Sequence, residues 1–411
     1  MLDRLWLSLV LLLDQAIRSL AITLSALGLR LPSRLMARIL TRGIAARLMP
    51  ASLAMAARGR RIVLVTGTNG KTTTTALLAA ALGGEVATNT GNHNFYCGLL
   101  DALLASSAPV AVLEVDELWL PDVLRWLRPD LLLVLNLLED AWRRTPDPTF
   151  VSECWRSCVD GSRIPILAWA EDPALVSLFA DQPVHWIGQR DAGPREVQWQ
   201  ACPACGGLLR RQGHDWSCGC GLRHPAARWQ LSADGSRLDT PTAARLRVEP
   251  GLPGRINRRN AAFATAAAVL LGEQPQVVHE RLQRFRQLPL RDHRYRLAGR
   301  DVHLLIAKNP DGWLVLLDRL EPGQGLMLLQ QHSAATLDLS WIYDIPVDAL
   351  RGRSIGLCGA HALDLAVWLT YAQVDFITAA DPRDLVPRMP AGPLLCLSDL
   401  LGAYLIASIA E

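Results

Sequence analysis

A lysine and a threonine directly after two closely spaced glycines are the residues of this sequence best suited to chemistry. The run reads Gly67-Thr68-Asn69-Gly70-Lys71-Thr72-Thr73. Glycines let backbone N–H groups approach an anion, and a helix N-terminus adds a dipole that favours negative charge. Lysine can neutralise β- and γ-phosphate oxygens, while a threonine hydroxyl can bind magnesium. The run therefore predicts a loop that binds ATP and Mg²⁺.

The elements around this run have the order that such a loop requires. Apolar residues 62–65 predict a buried strand, and residues 72–82 predict a helix. The spacing is shorter than in the eight-residue phosphate loop, because Val65 stands where that loop has its first glycine. A plain turn between strand and helix is the alternative interpretation, and it leaves the lysine and threonine in register unexplained.

Carboxylates stand at the end of the second predicted strand, residues 110–115, as Glu114, Asp116 and Glu117. Acidic residues at the carboxyl end of a parallel strand can reach a ligand crevice. We expect Glu114 to hold the magnesium ion that the phosphates need. A solvated helix cap is the alternative.

Strands that alternate with helices predict a doubly wound parallel α/β sheet. In the first part of the chain the further strands are expected at residues 131–135 and 164–168. A second, smaller α/β unit is predicted near the C-terminus, with strands at residues 302–307, 325–330, 354–358 and 375–378 and a helix at 362–371. The charged stretch 288–297 between the two is interpreted as a linker.

Four cysteines in two close pairs interrupt the alternation: Cys202, Cys205, Cys218 and Cys220. Four thiolates are the ligand set of a tetrahedral structural zinc, and they leave no open position for catalysis. We therefore predict an inserted zinc ribbon with four cysteine ligands over residues 198–228. His214 and His224 could replace one cysteine, and four unligated surface cysteines are the alternative interpretation.

Two asparagines after this insertion, Asn257 and Asn260, precede an alanine-rich helix. Residues three apart share one face of a helix, and amide side chains can hydrogen-bond to an adenine edge. A helix cap by Asn257 is the alternative.

Composition sets the class of protein and its compartment. The chain has 411 residues, half of them hydrophobic, so it can bury large cores, and its net charge of +3 gives no argument for nucleic acid. Nine cysteines, four of them clustered, favour metal binding in a reducing cytoplasm over disulfides. Residues 5–13 are apolar but shorter than the roughly 20 that cross a bilayer. The basic amphipathic stretch after them either packs on the protein or lies on an anionic membrane.

The short glycine loop resembles the ATP loop of the Mur ligase and folylpolyglutamate synthase superfamily. The whole chain after about residue 20 resembles one family, MurT. The stretches that carry this resemblance are 67–72, 88–98, 114–117, the two cysteine pairs, 257–260, 308–312 and 340–344.

The resemblance implies a Mur ligase-like ATP-binding domain over residues 59–295, after N-terminal helices over 1–58, and a C-terminal α/β domain over 296–411. It also implies ATP-dependent amidation of the D-glutamate α-carboxylate in the lipid II stem peptide, in peptidoglycan synthesis. Ammonia would come from a separate glutaminase subunit similar to GatD. In the family an aspartate of the C-terminal tail completes the catalytic set of this partner, and Asp344, then Asp338, matches it. An aspartate that only caps a turn is the alternative for Asp344.

Two departures from the family pattern keep other functions open. The third strand is followed by Glu139-Asp140-Ala141, with neither histidine nor glutamine after the aspartate, and Gln330-Gln331 stands where the family has Asn-Asp. A Mur-type or folylpolyglutamate-type amino-acid ligase and an ATP-binding scaffold without catalysis are the alternatives. Cys358-Gly359 lacks the signature of a glutaminase nucleophile, so we expect this chain alone to use free ammonia.

Overall fold

The computed structural model describes most of the chain after residue 50. The described residues are 51–89, 94–138, 148–190, 201–212, 215–242, 244–252, 254–286, 292–307, 309–317, 320–321, 323–331, 339–345 and 347–410. Residues 1–50 of the N-terminal helices expected over 1–58 therefore lie outside the described residues, as do the Glu139-Asp140-Ala141 segment, Lys308 and Asp338. Among the described residues, no helix combines the length and hydrophobicity that crossing a bilayer requires.

The chain divides into two compact units. The first comprises residues 1–137, 149–250 and 257–285, and the second comprises 138–148, 251–256 and 286–411. The exact domain boundaries inferred from the sequence stay a prediction.

A nine-stranded sheet forms the centre of the first unit, in the order β11-β10-β9-β6-β5-β4-β1-β3-β2. The strands from β9 to β2 are parallel, and β10 and β11 extend the sheet antiparallel. Their bounds are β1 Arg61–Thr66, β2 Val86–Thr88, β3 Val110–Glu114, β4 Leu131–Val134, β5 Ile166–Trp169, β6 Val184–Gln189, β9 Trp229–Leu231, β10 Arg237–Asp239 and β11 Arg245–Arg247. The central strands are buried on both faces, which explains their nearly continuous apolar sequences.

Helices connect these strands. Their bounds are α1 Ser52–Ala56, α2 Lys71–Leu82, α3 Tyr96–Ala105, α4 Leu120–Trp126, α5 Pro148–Val159, α6 Pro173–Leu178, α7 Arg255–Leu270 and α8 Pro275–Arg284. Between β6 and β9, which pair with each other, the chain forms a separate two-stranded hairpin of β7 Arg210–Gln212 and β8 Asp215–Ser217.

A six-stranded sheet forms the second unit, in the order β12-β13-β17-β14-β15-β16. All neighbours are parallel except β12 and β13. The strands are β12 Asp292–Leu297, β13 Arg300–Ile306, β14 Gly325–Leu329, β15 Ile355–Cys358, β16 Phe376–Thr378 and β17 Leu394–Ser398, and the helices are α9 Pro310–Leu317, α10 Ala362–Tyr371, α11 Pro382–Leu385 and α12 Leu400–Ile409. The parallel α/β prediction is thus confirmed for both units.

The linker interpretation of residues 288–297 is wrong for its second part. Residues 292–297 form β12, which pairs with β13 along its whole length. The charged residues misled the interpretation because β12 is an edge strand, where charged side chains are common. Tyr295 and Leu297, which alternate with them, pack on the second unit's core.

Candidate functional site: a nucleotide loop, an acidic edge and a cysteine cluster

The predicted ATP loop lies between β1 and α2, and its backbone has the conformation that glycine permits. Gly67 has φ +128° and Gly70 has φ +89°. A Cβ on Gly67 would lie 2.8 Å from the carbonyl oxygen of Asn136, and one on Gly70 would lie 2.7 Å from Oδ1 of Asn260. Glycine is therefore required at both positions for conformation and for space.

Asn136, the second residue after β4, fixes the other side of the loop. Its Oδ1 accepts a hydrogen bond from Asn69 N–H at 2.9 Å, and its Nδ2 donates to the Asn69 carbonyl at 3.0 Å. Its own carbonyl accepts from Thr68 N–H at 3.2 Å. The sequence offered one signal for this role, a polar residue shortly after an apolar strand, and did not reveal the contact.

Lys71 is buried at the first turn of α2 and is held by three oxygens. Its Nζ donates to the carbonyl oxygens of Gly67 at 2.5 Å and Thr68 at 3.3 Å, and it forms an ion pair with Glu117 at 2.9 Å. Burial lowers the pKa of Lys71, but the carboxylates of Glu117, Glu114 and Asp116 outweigh this effect and raise it above its ordinary value. The side chain therefore carries a permanent positive charge beside the loop.

Glu114 ends β3 directly opposite Val65 of β1, the strand that leads into the loop. It is only 1% exposed, and its Oε2 has no hydrogen-bond partner among the described residues. Asn89 clamps the backbone of Glu114 through two hydrogen bonds of 2.8 Å. A fixed, buried carboxylate oxygen without a partner is suited to a divalent cation.

The remaining predicted ligands of ATP lie around the same edge. Thr72 is 7% exposed in the first turn of α2, and Asn257 and Asn260 are both buried on α7. Asn257 is the third residue of α7, so the alternative that it caps this helix is wrong. Asn260 contacts Gly70, whereas the sequence argument considered it only for adenine.

The four cysteines of the predicted ribbon come together. One ligand atom of each lies within 4.8 Å of the others, and among the described residues no other group of histidine, cysteine and acidic side chains converges in this way. The Sγ atoms of Cys202 and Cys220 are 3.7 Å apart, and those of Cys205 and Cys218 are 3.4 Å apart. This geometry fits a tetrahedral Zn²⁺ bound by four thiolates.

The protonation of these thiols differs. The backbone N–H of Cys220 lowers the pKa of Cys218 to about 7. The Gly207 N–H also donates to Cys205, yet the neighbouring thiols Cys218 and Cys220 raise the pKa of Cys205 to about 12. Cys218 therefore loses its proton closer to neutral pH than Cys205 does, and a metal ion would have to displace the proton of Cys205.

His224 is not part of this cluster. Its Nε2 lies 3.1 Å from Oε1 of Glu171 and its Nδ1 lies 3.4 Å from Oδ1 of Asp215. Glu171 follows β5 in the large sheet, so His224 attaches the hairpin to the sheet. The structure gives it a role as an anchor, which the sequence argument did not consider.

Asp344 belongs to the second unit. It ends a 3₁₀ turn, Ser340–Asp344, in which Trp341 and Ile342 are buried while Tyr343 and Asp344 are exposed. An exposed carboxylate on an apolar anchored turn is available to another protein.

Comparison with known proteins agrees with this architecture. The family described as MurT ligase C-terminal matches residues 306–389. The MurT subunit of lipid II isoglutaminyl synthase from Streptococcus pneumoniae is 26% identical over 73% of this chain and 73% of its own length. The same subunit from Staphylococcus aureus is 25% identical over 76% of this chain and 78% of its own. The chain is therefore similar to MurT subunits along about three quarters of its length, and its residues 306–389 match the MurT ligase C-terminal family.

A solved structure shows the wider fold of this chain. MurF ligase from Thermotoga maritima, in complex with ADP, aligns with a TM-score of 0.61 and 16% identity over 87% of this chain and 81% of the MurF chain. The fold is therefore that of the Mur ligases.

Proposed function

We propose that this chain amidates the D-glutamate α-carboxylate of the lipid II stem peptide to D-isoglutamine, using ATP and ammonia. The observation that carries the proposal is the buried edge where Lys71, Thr72 and Glu114 surround the glycine loop, in a chain similar along three quarters of its length to lipid II isoglutaminyl synthase subunits. The reaction would take place in the cytoplasm, where lipid II precursors are exposed at the inner membrane face.

Two steps make an unreactive carboxylate open to attack. A carboxylate oxygen of the substrate attacks the γ-phosphorus of ATP, ADP leaves, and an acyl phosphate forms. The nitrogen of ammonia then attacks the carbonyl carbon, inorganic phosphate leaves, and the nitrogen loses one proton. The protein must align the reactants and stabilise the charge of the transferred phosphoryl group.

The residues of the first sheet edge supply both requirements. Backbone N–H groups of the loop bind phosphate oxygens, and Lys71 moves its positive charge from Glu117 to the β- and γ-phosphates. Thr72 and Glu114 would hold Mg²⁺, because the Glu114 oxygen without a partner among the described residues fits a cation. When bound, Mg²⁺ neutralises phosphate charge. Asn257 and Asn260 contribute on the adenine side of the loop.

The cysteine cluster would hold a structural Zn²⁺. Cys202, Cys205, Cys218 and Cys220 fill all four positions, so the ion would stabilise the ribbon without binding substrate.

Ammonia would come from a GatD-like glutaminase bound as a second subunit. Cys358 supports this division, because burial raises the pKa of its thiol to about 12 and leaves it without nucleophilic character. The exposed Asp344 would complete the catalytic set of the partner, with Asp338 as the second choice.

The test is amidation of lipid II by the purified chain with two nitrogen sources. We expect isoglutamine formation with ammonium chloride and ATP, and with glutamine only after the glutaminase is added. Candidate amino acids and folate serve as controls, with phosphate release as the readout. Transfer of an amino acid, or use of glutamine by this chain alone, would contradict the proposal.

A further inference from the structure

The second unit has a polar edge of its own, which the proposed function does not use. The last paired level of its sheet contains Ile306, Ser398, Leu329 and Cys358 on β13, β17, β14 and β15. The next residues on these strands are Ala307, Asp399, Gln330 and Gly359. The polar residues Asp399 and Gln330 are therefore neighbours, with Ala307 next to Asp399 and Gly359 next to Gln330.

Asp399 and Gln330 are buried although both are polar. They are 2% and 1% exposed, and adjacent parallel strands place their backbones about 4.8 Å apart. Oδ2 of Asp399 and Nε2 of Gln330 have no hydrogen-bond partner among the described residues. Buried polar atoms without partners are rare in folded proteins and call for a ligand or ordered water.

One oxygen of Asp399 is already used. Oδ1 accepts a hydrogen bond from Gly402 N–H at 2.8 Å and caps α12. Burial raises the pKa of Asp399, while the N–H groups of Gly402 and Gln331 and the charge of His361 lower it in part. A cation at Oδ2 would remove the cost of burying this carboxylate.

His361 completes the edge. It is 2% exposed, and its backbone N–H donates to the Gln330 carbonyl at 3.2 Å. Its ring Nδ1 lies 2.7 Å from Oδ2 of Asp364. The hydrogen bond of Asp364 fixes the ring, as a carboxylate does for functional histidines.

The edge also lies where the connections of the sheet reverse. Side chains of α9 and α10, such as Trp313 and Trp368, pack in one core, whereas Leu385 of α11 and Ile406 of α12 pack in the core on the other face. After β17 the chain continues to one face of the sheet, whereas after its neighbours β13 and β14 it continues to the other face. In open α/β sheets ligands bind in the crevice at such a point.

We propose that Asp399, Gln330 and His361 form a binding site for the ammonium ion, the nitrogen donor of the proposed reaction. The proposal rests on the proposed function. The Asp399 carboxylate oxygen supplies the charge, and the Gln330 amide can turn its oxygen toward the ion. Ser398, on the opposite face against Gly402, does not take part.

The first experiment measures the dependence of lipid II amidation on ammonium chloride without glutamine. Asp399→Asn keeps an acceptor for the Gly402 N–H and hence the helix cap, but it removes the charge. We expect the KM for ammonium to rise about tenfold or more, with the KM for ATP unchanged. Asp381→Asn is the matched control, because Asp381 caps α11 through the Arg383 N–H on an exposed part of the same unit.

An unchanged KM for ammonium in Asp399→Asn would overturn the inference and leave the proposed function intact. Absence of any ammonia-dependent amidation in the wild type would instead refute the proposed function.

The second experiment needs no turnover. Thermal unfolding of the full chain is followed at constant ionic strength in ammonium, potassium, sodium or tetramethylammonium chloride. We expect ammonium to raise Tm above sodium and tetramethylammonium in the wild type and in Asp381→Asn, but not in Asp399→Asn. Equal effects of all four cations, or an ammonium effect that survives Asp399→Asn, would show that waters fill this edge and would overturn the inference.

Discussion

The two parallel sheets of this protein both carry buried polar groups at the carboxyl ends of their strands, but they arrange them differently. In the first unit a lysine, a glycine loop and acidic residues meet, and Lys71 is neutralised by Glu117 within the protein. In the second unit Asp399 and Gln330 each keep one buried atom without a partner among the described residues. The first edge presents a cation to an anionic ligand, whereas the second presents a buried carboxylate oxygen to a cation.

This difference explains when a binding site can be recognised from the sequence. The first edge binds through consecutive backbone groups, so glycine, lysine and threonine appear in one run. The second edge takes single residues from four strands that are far apart in the chain, so no local pattern reveals it.

The largest effect that separates the two edges is expected from Lys71→Met. Loss of the positive charge at the phosphates should reduce amidation about a hundredfold to a thousandfold, at saturating ammonium as well. Asp399→Asn should recover at high ammonium in the same assay. Arg125→Met, which removes an exposed cation from α4, is the control. Full recovery of amidation by Lys71→Met at high ammonium would mean that the two edges do not have different functions.

Metal removal tests whether the cysteine cluster is independent of both edges. Chelation of the zinc-loaded chain should disorder β7 and β8 and lower stability by several kcal/mol, because metal binding is coupled to folding. Proteolysis at the exposed Arg210 and circular dichroism would report the change. ATP affinity should stay within about threefold, since β5 and β4 separate β6, after which the ribbon is inserted, from β1, which leads into the loop. A loss of ATP affinity as large as the loss of activity in Lys71→Met would show that the ribbon also contributes to nucleotide binding.

Asp172 allows a comparison with Asp399, since both are buried aspartates that cap a helix. Burial raises the pKa of Asp172 to about 6 from 3.8, although the Leu137 and Ala174 N–H groups lower it. Because the folded pKa is the higher one, the contribution of Asp172 to stability is complete below pH 3.8 and is lost as pH rises to about 6. Both of its oxygens accept hydrogen bonds, from Leu137 and Ala174.

Urea unfolding between pH 4 and 7 measures this contribution. The free energy of unfolding should lose about 2 kcal/mol more over this range in the wild type than in Asp172→Asn. Identical pH profiles of the two proteins would show that Asp172 does not titrate in the folded state.

The smallest effect concerns the ion pair within the first edge. Glu117→Gln removes the partner that Lys71 must leave when phosphate binds, so ATP affinity should rise about fivefold while Tm falls. Isothermal titration with ATP and magnesium would measure it. Weaker binding would show that Glu117 itself contacts the metal and phosphates, in the way proposed for Glu114.

The sequence predicted those parts of the fold that have a local physical cause. The bounds of β1 and α10 were predicted to within a residue, because apolar runs end at a polar residue or at glycine. The last strand and helix, β17 and α12, were not predicted, since both are almost uniformly apolar and periodicity cannot distinguish them. The contacts of Asn136 and Glu117 with the loop were not predicted, because they depend on which strands pair with each other. The roles of the predicted site residues themselves stay predictions.

The segment with the four cysteines is inserted between β6 and β9, which are parallel neighbours in the sheet with Ile187 level with Trp229. Parallel strands need a crossover connection of roughly a dozen residues or more, so a short turn could not replace the ribbon. A shorter crossover in its place would also need a new partner for the Glu171 carboxylate, which His224 now contacts.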